Sequence, residues 1–186
     1  MITGPSGAGK GTLIRRLLAR VPELEHTISA TTRDRRPGEE DGREYHFLTP
    51  EEFQRRIDAK EFLEWVDYVG NRYGTLRAEV DRIQRDGRVP LLELELKGAL
   101  TVKDQLPNAV TIFVDAPLAE LERRLRDRAT ESAGEIGERI VLARQQKELA
   151  TRFDHVVEND DRERAADECL EIVRRELNDA ATMAPR

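Results

Sequence analysis

Nine residues near the start, Gly4-Pro5-Ser6-Gly7-Ala8-Gly9-Lys10-Gly11-Thr12, suit one kind of chemistry. Their glycines let a backbone wrap closely around an anion and turn its N–H groups inward. The apolar stripe Leu13, Ile14, Leu17, Leu18 and Val21 follows at helical spacing, so the positive end of a helix dipole would face the same anion. Lys10 adds a point charge for outer phosphates. The pattern G-x-x-x-x-G-K is met, and it predicts a loop that holds the phosphates of a nucleoside triphosphate through residues 4–12. One position departs from it. Gly11 stands where Ser or Thr is usual, and Thr12 comes next. Further along, Arg33 and Arg36 lie three apart with Tyr45 beyond them. Forked guanidinium donors and phenolic hydroxyls suit a dianionic phosphate.

The ending Gly9-Lys10-Gly11-Thr12 resembles that of nucleoside monophosphate kinases. Residues 29–47, SATTRDRRPGEEDGREYHF, are more specific. They meet every fixed position of S-x-T-T-R-x-x-R-x-G-E-x-x-G-x-x-Y-x-F, the signature of guanylate kinases. The resemblance continues through Phe62-Leu63-Glu64-Trp65 and Gly70-Asn71-Arg72-Tyr73-Gly74-Thr75, and extends from Gly4 to about Asn159. It implies ATP and GMP as substrates, with dGMP as a further acceptor, and Mg²⁺ as the ion. The magnesium would be held mainly through phosphates and water, with Thr12 as the protein-side candidate. GMP contacts would come from Ser29, Arg33, Arg36, Glu39, Tyr45, Glu64, Tyr73 and Thr75. Guanine offers N–H donors at N1 and N2 beside an O6 acceptor. A Glu64 carboxylate with the Ser29 and Thr75 hydroxyls matches that set. Adenine would leave the carboxylate unpaired.

Residues 91–98, LLELELKG, place two acids among leucines. The family has acid-x-Asp-x-Gln-Gly here. Glu93 matches, whereas Glu95 replaces Asp and Lys97 replaces Gln. By resemblance Glu93 and Glu95 also belong to the GMP site. An Arg-rich stretch with Arg124, Arg128 and Arg139 resembles the lid, where Ala129 stands for the usual Gly. The catalytic set implied is Lys10, Arg33, Arg124, Arg128 and Arg139. Asn159 resembles a residue near the adenine of ATP.

These residues need a scaffold, and the patterning supplies one. Strand-like segments at 26–31, 62–69, 89–96, 109–114 and 155–158 alternate with a helix that starts at 49–52 and with helical stripes at 76–86, 118–126, 136–149 and 164–177. Thr49-Pro50-Glu51-Glu52 reads as a capped helix start with a full capping box, and Gly70-Asn71 as a tight turn. The alternation predicts an α/β fold with a mostly parallel sheet flanked by helices. Residues 33–75, rich in charge, Gly and Tyr, read as an inserted mixed-sheet lobe for GMP. The core would then be 1–32 with 76–186, its small helical lid at about 122–140, and the tail from 180 frayed.

A chain of 186 residues suits one domain with such an insertion. A net charge of −6 argues against a general nucleic-acid binder. No apolar run is long enough to span a membrane, no secretory signal is present, and no His/Cys spacing fits zinc. The lone Cys169 allows no intrachain disulfide, and a reducing cytoplasm fits. Two rival readings remain beside the kinase: a guanylate-kinase-like binding domain without catalysis, and a phosphate-loop kinase for another small phosphorylated substrate.

Overall fold

The computed structural model describes residues 1–127 and 133–183. Its elements run β1 (Ile2–Thr3), α1 (Lys10–Arg20), β2 (Leu24–His26), β3 (Ala30–Thr31), β4 (His46–Phe47), α2 (Pro50–Asp58), β5 (Phe62–Tyr68), β6 (Asn71–Leu76), α3 (Arg77–Arg85) and β7 (Val89–Leu91). They continue as α4 (Leu96–Gln105), β8 (Ile112–Asp115), α5 (Leu118–Asp127), α6 (Ala133–Glu148), a 3₁₀ turn Ala150–Arg152, β9 (His155–Glu158) and α7 (Arg162–Met183). The chain divides into two compact units, Met1–Pro22 with Val110–Arg186, and Glu23–Ala109. No helix among the described residues is long and apolar enough to cross a membrane.

In the first unit β8 is the central strand of a parallel sheet ordered β1-β8-β9. Its Ile112, Phe113 and Val114 are all buried, as a strand covered on both faces requires. Ile112 pairs with Ile2 on one side and with His155 on the other. The stripe expected on α1 is buried at Leu13, Ile14 and Leu17. Arg16 to Glu163 at 2.5 Å and Arg20 to Asp167 at 2.6 Å tie α1 to α7 along their exposed edges. The helix α7 runs on through Met183, past the point where fraying was expected. Good helix formers, Ala180 and Ala181, carry it there.

The second unit holds a parallel pair, β2-β7, and a four-stranded mixed sheet ordered β4-β3-β6-β5. The single strand expected over 26–31 is in fact two. The chain pairs with β7 through His26 and then, after residues 27–29, joins the mixed sheet at Ala30. The strand expected over 89–96 ends at Leu91. Beyond it Glu93 stands in an isolated bridge, and Glu95 takes an extended conformation as N-cap of α4. Glu93 and Glu95 therefore lie on a strand-to-helix connection rather than along one side of a strand.

Two further details of the mixed sheet differ from expectation. Tyr68 pairs with Asn71, so the hairpin turn is Val69-Gly70, one residue earlier than Gly70-Asn71. Both turn residues have positive φ, 46° and 73°, as a type I′ turn demands. The register also shifts between Phe62 and Glu64, which leaves Leu63 as an extra residue. That bulge turns Glu64 inward opposite Thr75. The Thr49 hydroxyl caps α2 through Glu52 N at 3.1 Å. The return half of the capping box is displaced, because Arg55 and Arg56 engage the Glu52 carboxylate. Phe53 stacks on Phe62 at 4.4 Å between ring centres, within a small core with Ala30 and Leu76. Truncating either ring would cost about 3–5 kcal/mol.

Candidate active site

The phosphate loop leaves β1 at Thr3 and enters α1 at Lys10. Gly4, at φ 143°, passes so close to β8 that a Cβ would lie 2.1 Å from the Val114 carbonyl oxygen. Gly9 is left-handed at φ 91° and caps α1 without a side-chain hydrogen bond. A helix start without a side-chain cap presents backbone donors and the positive dipole end to an anion. Lys10 Nζ lies across the loop and donates to Gly4 O at 2.7 Å and Pro5 O at 3.2 Å.

Three more expected residues meet this loop, each as a brace. Arg124 Nη1 donates to Gly7 O and Ala8 O, both at 3.3 Å, and its Nη2 to Asn159 O at 2.9 Å. Glu120 holds the same guanidinium from Nε at 2.7 Å. Arg139 Nη1 donates to Ser6 Oγ at 2.8 Å. Asn159, only 2% exposed, donates from Nδ2 to Ala8 O at 2.6 Å. Asn159 thus supports the loop from within the core. Its Oδ1 is buried without a hydrogen-bond partner. Arg128 and Ala129 lie outside the described residues.

In the 23–109 unit Glu64 is the best-defined group. It is 6% exposed, and Thr75 Oγ1 donates to its Oε1 at 2.9 Å. Burial pushes its carboxyl up to about 7, against the opposing pull of the Thr75 donors. Glu95 adds a like charge that pushes the same way. Gly98 of α4 packs directly on the Glu64 carboxylate.

A second cluster surrounds Arg33. Its Nη2 reaches both Glu39 oxygens, at 2.8 and 2.9 Å, and Nη1 donates to Asp34 O at 2.5 Å. The guanidinium carbon stands 5.5 Å from the Tyr45 ring centre and 5.7 Å from that of Phe47. Tyr45 in turn meets Tyr73 edge-on at 6.0 Å. Glu39, expected at the ligand, is here the brace of Arg33, and also accepts from Arg36 N at 2.8 Å. The Arg33 hydrogen bond holds the Glu39 carboxyl below its ordinary value. The Arg36 side chain is exposed, and Ser29 is half-buried with its carbonyl accepting from His46 N at 2.9 Å. Burial raises the Tyr45 phenol, and the nearby Glu93 adds to that. The same burial depresses His26, which Glu93 partly offsets.

Sequence reasoning missed two supports. Glu79, 8% exposed, accepts from Ile28 N at 3.2 Å and so holds the segment that carries Ser29. Its spacing of three from Arg82, to which it is paired, was the available signal. Lys147 Nζ reaches both Asp115 oxygens at 2.5 Å and Ala116 O at 2.9 Å, anchoring α6 to the end of β8. Nothing local in the sequence marks that pair.

No group of three or more His, Cys, Asp or Glu among the described residues could hold a metal ion. Thr12 has its hydroxyl in the first turn of α1, where it accepts from Arg15 Nη2 at 3.2 Å.

The guanylate kinase family model matches residues 1–176. The guanylate kinase of Rubrobacter xylanophilus is 49% identical over 176 residues, covering 94% of this chain and 92% of that protein. That of Synechocystis is 45% identical over 174 residues, covering 93% and 91%. The crystal structure of guanylate kinase from Anaplasma phagocytophilum superposes with a TM-score of 0.76 at 29% identity, covering 95% of this chain and 85% of that one. A matching family model over nearly the whole chain and relatives at this identity lead to one statement: the chain belongs to the guanylate kinase family.

Proposed function

We infer that this protein is an ATP:GMP phosphotransferase, moving the γ-phosphoryl group of ATP to GMP to give ADP and GDP. The observation that carries the guanine assignment is the buried Glu64 carboxylate with Thr75 bonded to one oxygen. A carboxylate accepts at several lone-pair positions, so one oxygen donor leaves room for the N1 and N2 donors of guanine. Adenine brings no such pair, and its entry would leave a desolvated charge unmatched. Ser29 and Thr75 complete the edge-reading set. Arg33, Arg36, Tyr45 and Tyr73 hold the GMP phosphate, with Glu39 keeping Arg33 in place; Glu93 and Glu95 order the same lobe, residues 33–75.

ATP is held by residues 4–12 through backbone N–H groups and Lys10. Lys10 and Arg124 now bond loop carbonyls, and each must turn toward phosphate oxygens when the triphosphate arrives. Arg139 and Arg128 serve the same phosphates, and Asn159 supports ATP binding by holding Ala8. Magnesium, carried on the phosphates with Thr12 as its protein-side neighbour, supplies charge neutralisation when bound. The acceptor is already an anion, so no strong general base is needed. Phosphoryl transfer relies on in-line positioning and charge stabilisation, which these Lys and Arg side chains provide. We place the protein in the cytoplasm. There the Cys169 thiol, buried and pushed up to about 12 by desolvation, is an inert part of the core.

The test is a coupled ADP-release assay with GMP, dGMP, AMP, CMP and UMP. GMP and dGMP should turn over, with AMP at least about 100-fold poorer in kcat/KM. Equal turnover of AMP and GMP would remove the guanine assignment. GMP binding without any turnover would favour a non-catalytic binding domain.

A further inference from the structure

Gly98 is the third residue of α4 and is buried. A Cβ built on it would lie 2.3 Å from Glu64 Oε2 and 3.0 Å from Glu64 Cδ. Ordinary contact begins near 3.4 Å, so any side chain at 98 must displace that oxygen by about 1.1 Å, the difference between 3.4 and 2.3. Gly11 and Gly137, which also lie inside helices, meet nothing within 4 Å. Glycine weakens a helix interior relative to alanine, and at 98 the gain that offsets this is room for a carboxylate.

The other Glu64 oxygen is already tied to Thr75 at 2.9 Å. The carboxylate is therefore clamped between a hydroxyl on β6 and bare backbone on α4, after the bulge at Leu63 has turned it inward. The clash produced by a larger residue would fall on the end of a side chain. The fold would absorb it, and the carboxylate would move.

We propose that Gly98 is a positioning residue for guanine selectivity: by lacking a side chain it leaves the space in which the Glu64 carboxylate stands at the angle guanine requires. The inference rests on the assignment of Glu64 to guanine, and extends it to a residue that never touches the substrate. Misplacing a recognition group by about 1 Å costs on the order of 100-fold in productive binding.

The experiment compares Gly98→Ala, Glu64→Asp, the double variant and Glu64→Ala, reading KM for GMP, AMP and ATP, kcat and thermal stability. Gly98→Ala should raise KM for GMP by about 10- to 100-fold, leave KM for ATP within about twofold, and narrow the GMP-over-AMP ratio. Its melting temperature should not fall, since alanine favours the helix. Shortening the acid makes room for the methyl group. In the Glu64→Asp background, Gly98→Ala should therefore cost less than about threefold. The proposal is overturned if Gly98→Ala keeps parental KM and selectivity for GMP, if its penalty is the same in the Asp background, or if it melts far below the parent. Loss of selectivity in Glu64→Ala combined with a silent Gly98→Ala would overturn the Gly98 role alone. Parental selectivity in Glu64→Ala would overturn the guanine assignment and this inference with it.

Discussion

On the function proposed above, the two compact units solve recognition in opposite ways. In the unit formed by 1–22 and 110–186, the site is mostly backbone: a loop shaped by Gly4 and Gly9 at positive φ, with Arg124, Arg139 and Asn159 holding its carbonyls and hydroxyl. In the 23–109 unit it is mostly side chains: a buried carboxylate, a paired guanidinium and a group of aromatic rings. Phosphate is the same on every nucleoside triphosphate, and repeated N–H groups suffice to hold it. A base edge is particular, so its reader must be a specific group kept at a specific angle.

The strongest way to break this contrast is Lys10→Ala. It should lower kcat by about 1000-fold or more while GMP affinity, read by calorimetry, stays within about twofold. Retained turnover would mean the loop works without its one cationic side chain. Next comes Asn159→Ala, which leaves the Ala8 carbonyl without its 2.6 Å donor. KM for ATP should rise by about tenfold with KM for GMP unchanged, a loss of about 1–3 kcal/mol on the loop side only. A rise in KM for GMP instead would show that the brace serves both sites.

A pH series sharpens the other half. Burial raises Glu64 from 4.5 to about 7, so the folded protein binds this proton more tightly than the unfolded chain. Its contribution to stability is accordingly full below about 4.5 and is lost as pH rises towards about 7. In the proposed guanine contact GMP recognition needs the ionised form and runs the other way. KM for GMP should rise about tenfold between pH 8 and pH 6, and Glu64→Gln should lack that limb. An identical limb in the Gln variant would assign the titration to another group. The smallest effect belongs to Val69→Asn at the hairpin turn. A β-branched residue at φ 46° is strained, and Asn-Gly is the favoured type I′ pair. Chemical denaturation should show a gain of about 1 kcal/mol with turnover unchanged.

The same contrast governs what could be read without coordinates. The loop at 4–12 and the signature over 29–47 were legible because each is a run of adjacent residues doing one job. The Thr49 cap and the α1 stripe were legible for the same local reason. The inward turn of Glu64 was not, because it depends on a one-residue bulge, and strand alternation counts straight through a bulge. The early end of β7 and the crossing of 27–29 between sheets depend on which strands find partners. Arg124 on the loop carbonyls joins residues 116 and 117 apart, and no spacing rule reaches that far.

The parallel pairing of Ile2 with Ile112 has a consequence for how the molecule comes to exist. During synthesis the 23–109 unit is a continuous segment and can complete its own core as it emerges. The strand behind the phosphate loop has to wait for β8, some 110 residues later in the chain, before it has a neighbour. Of the site's parts, the loop comes first in chain order and is among the last to acquire its shape.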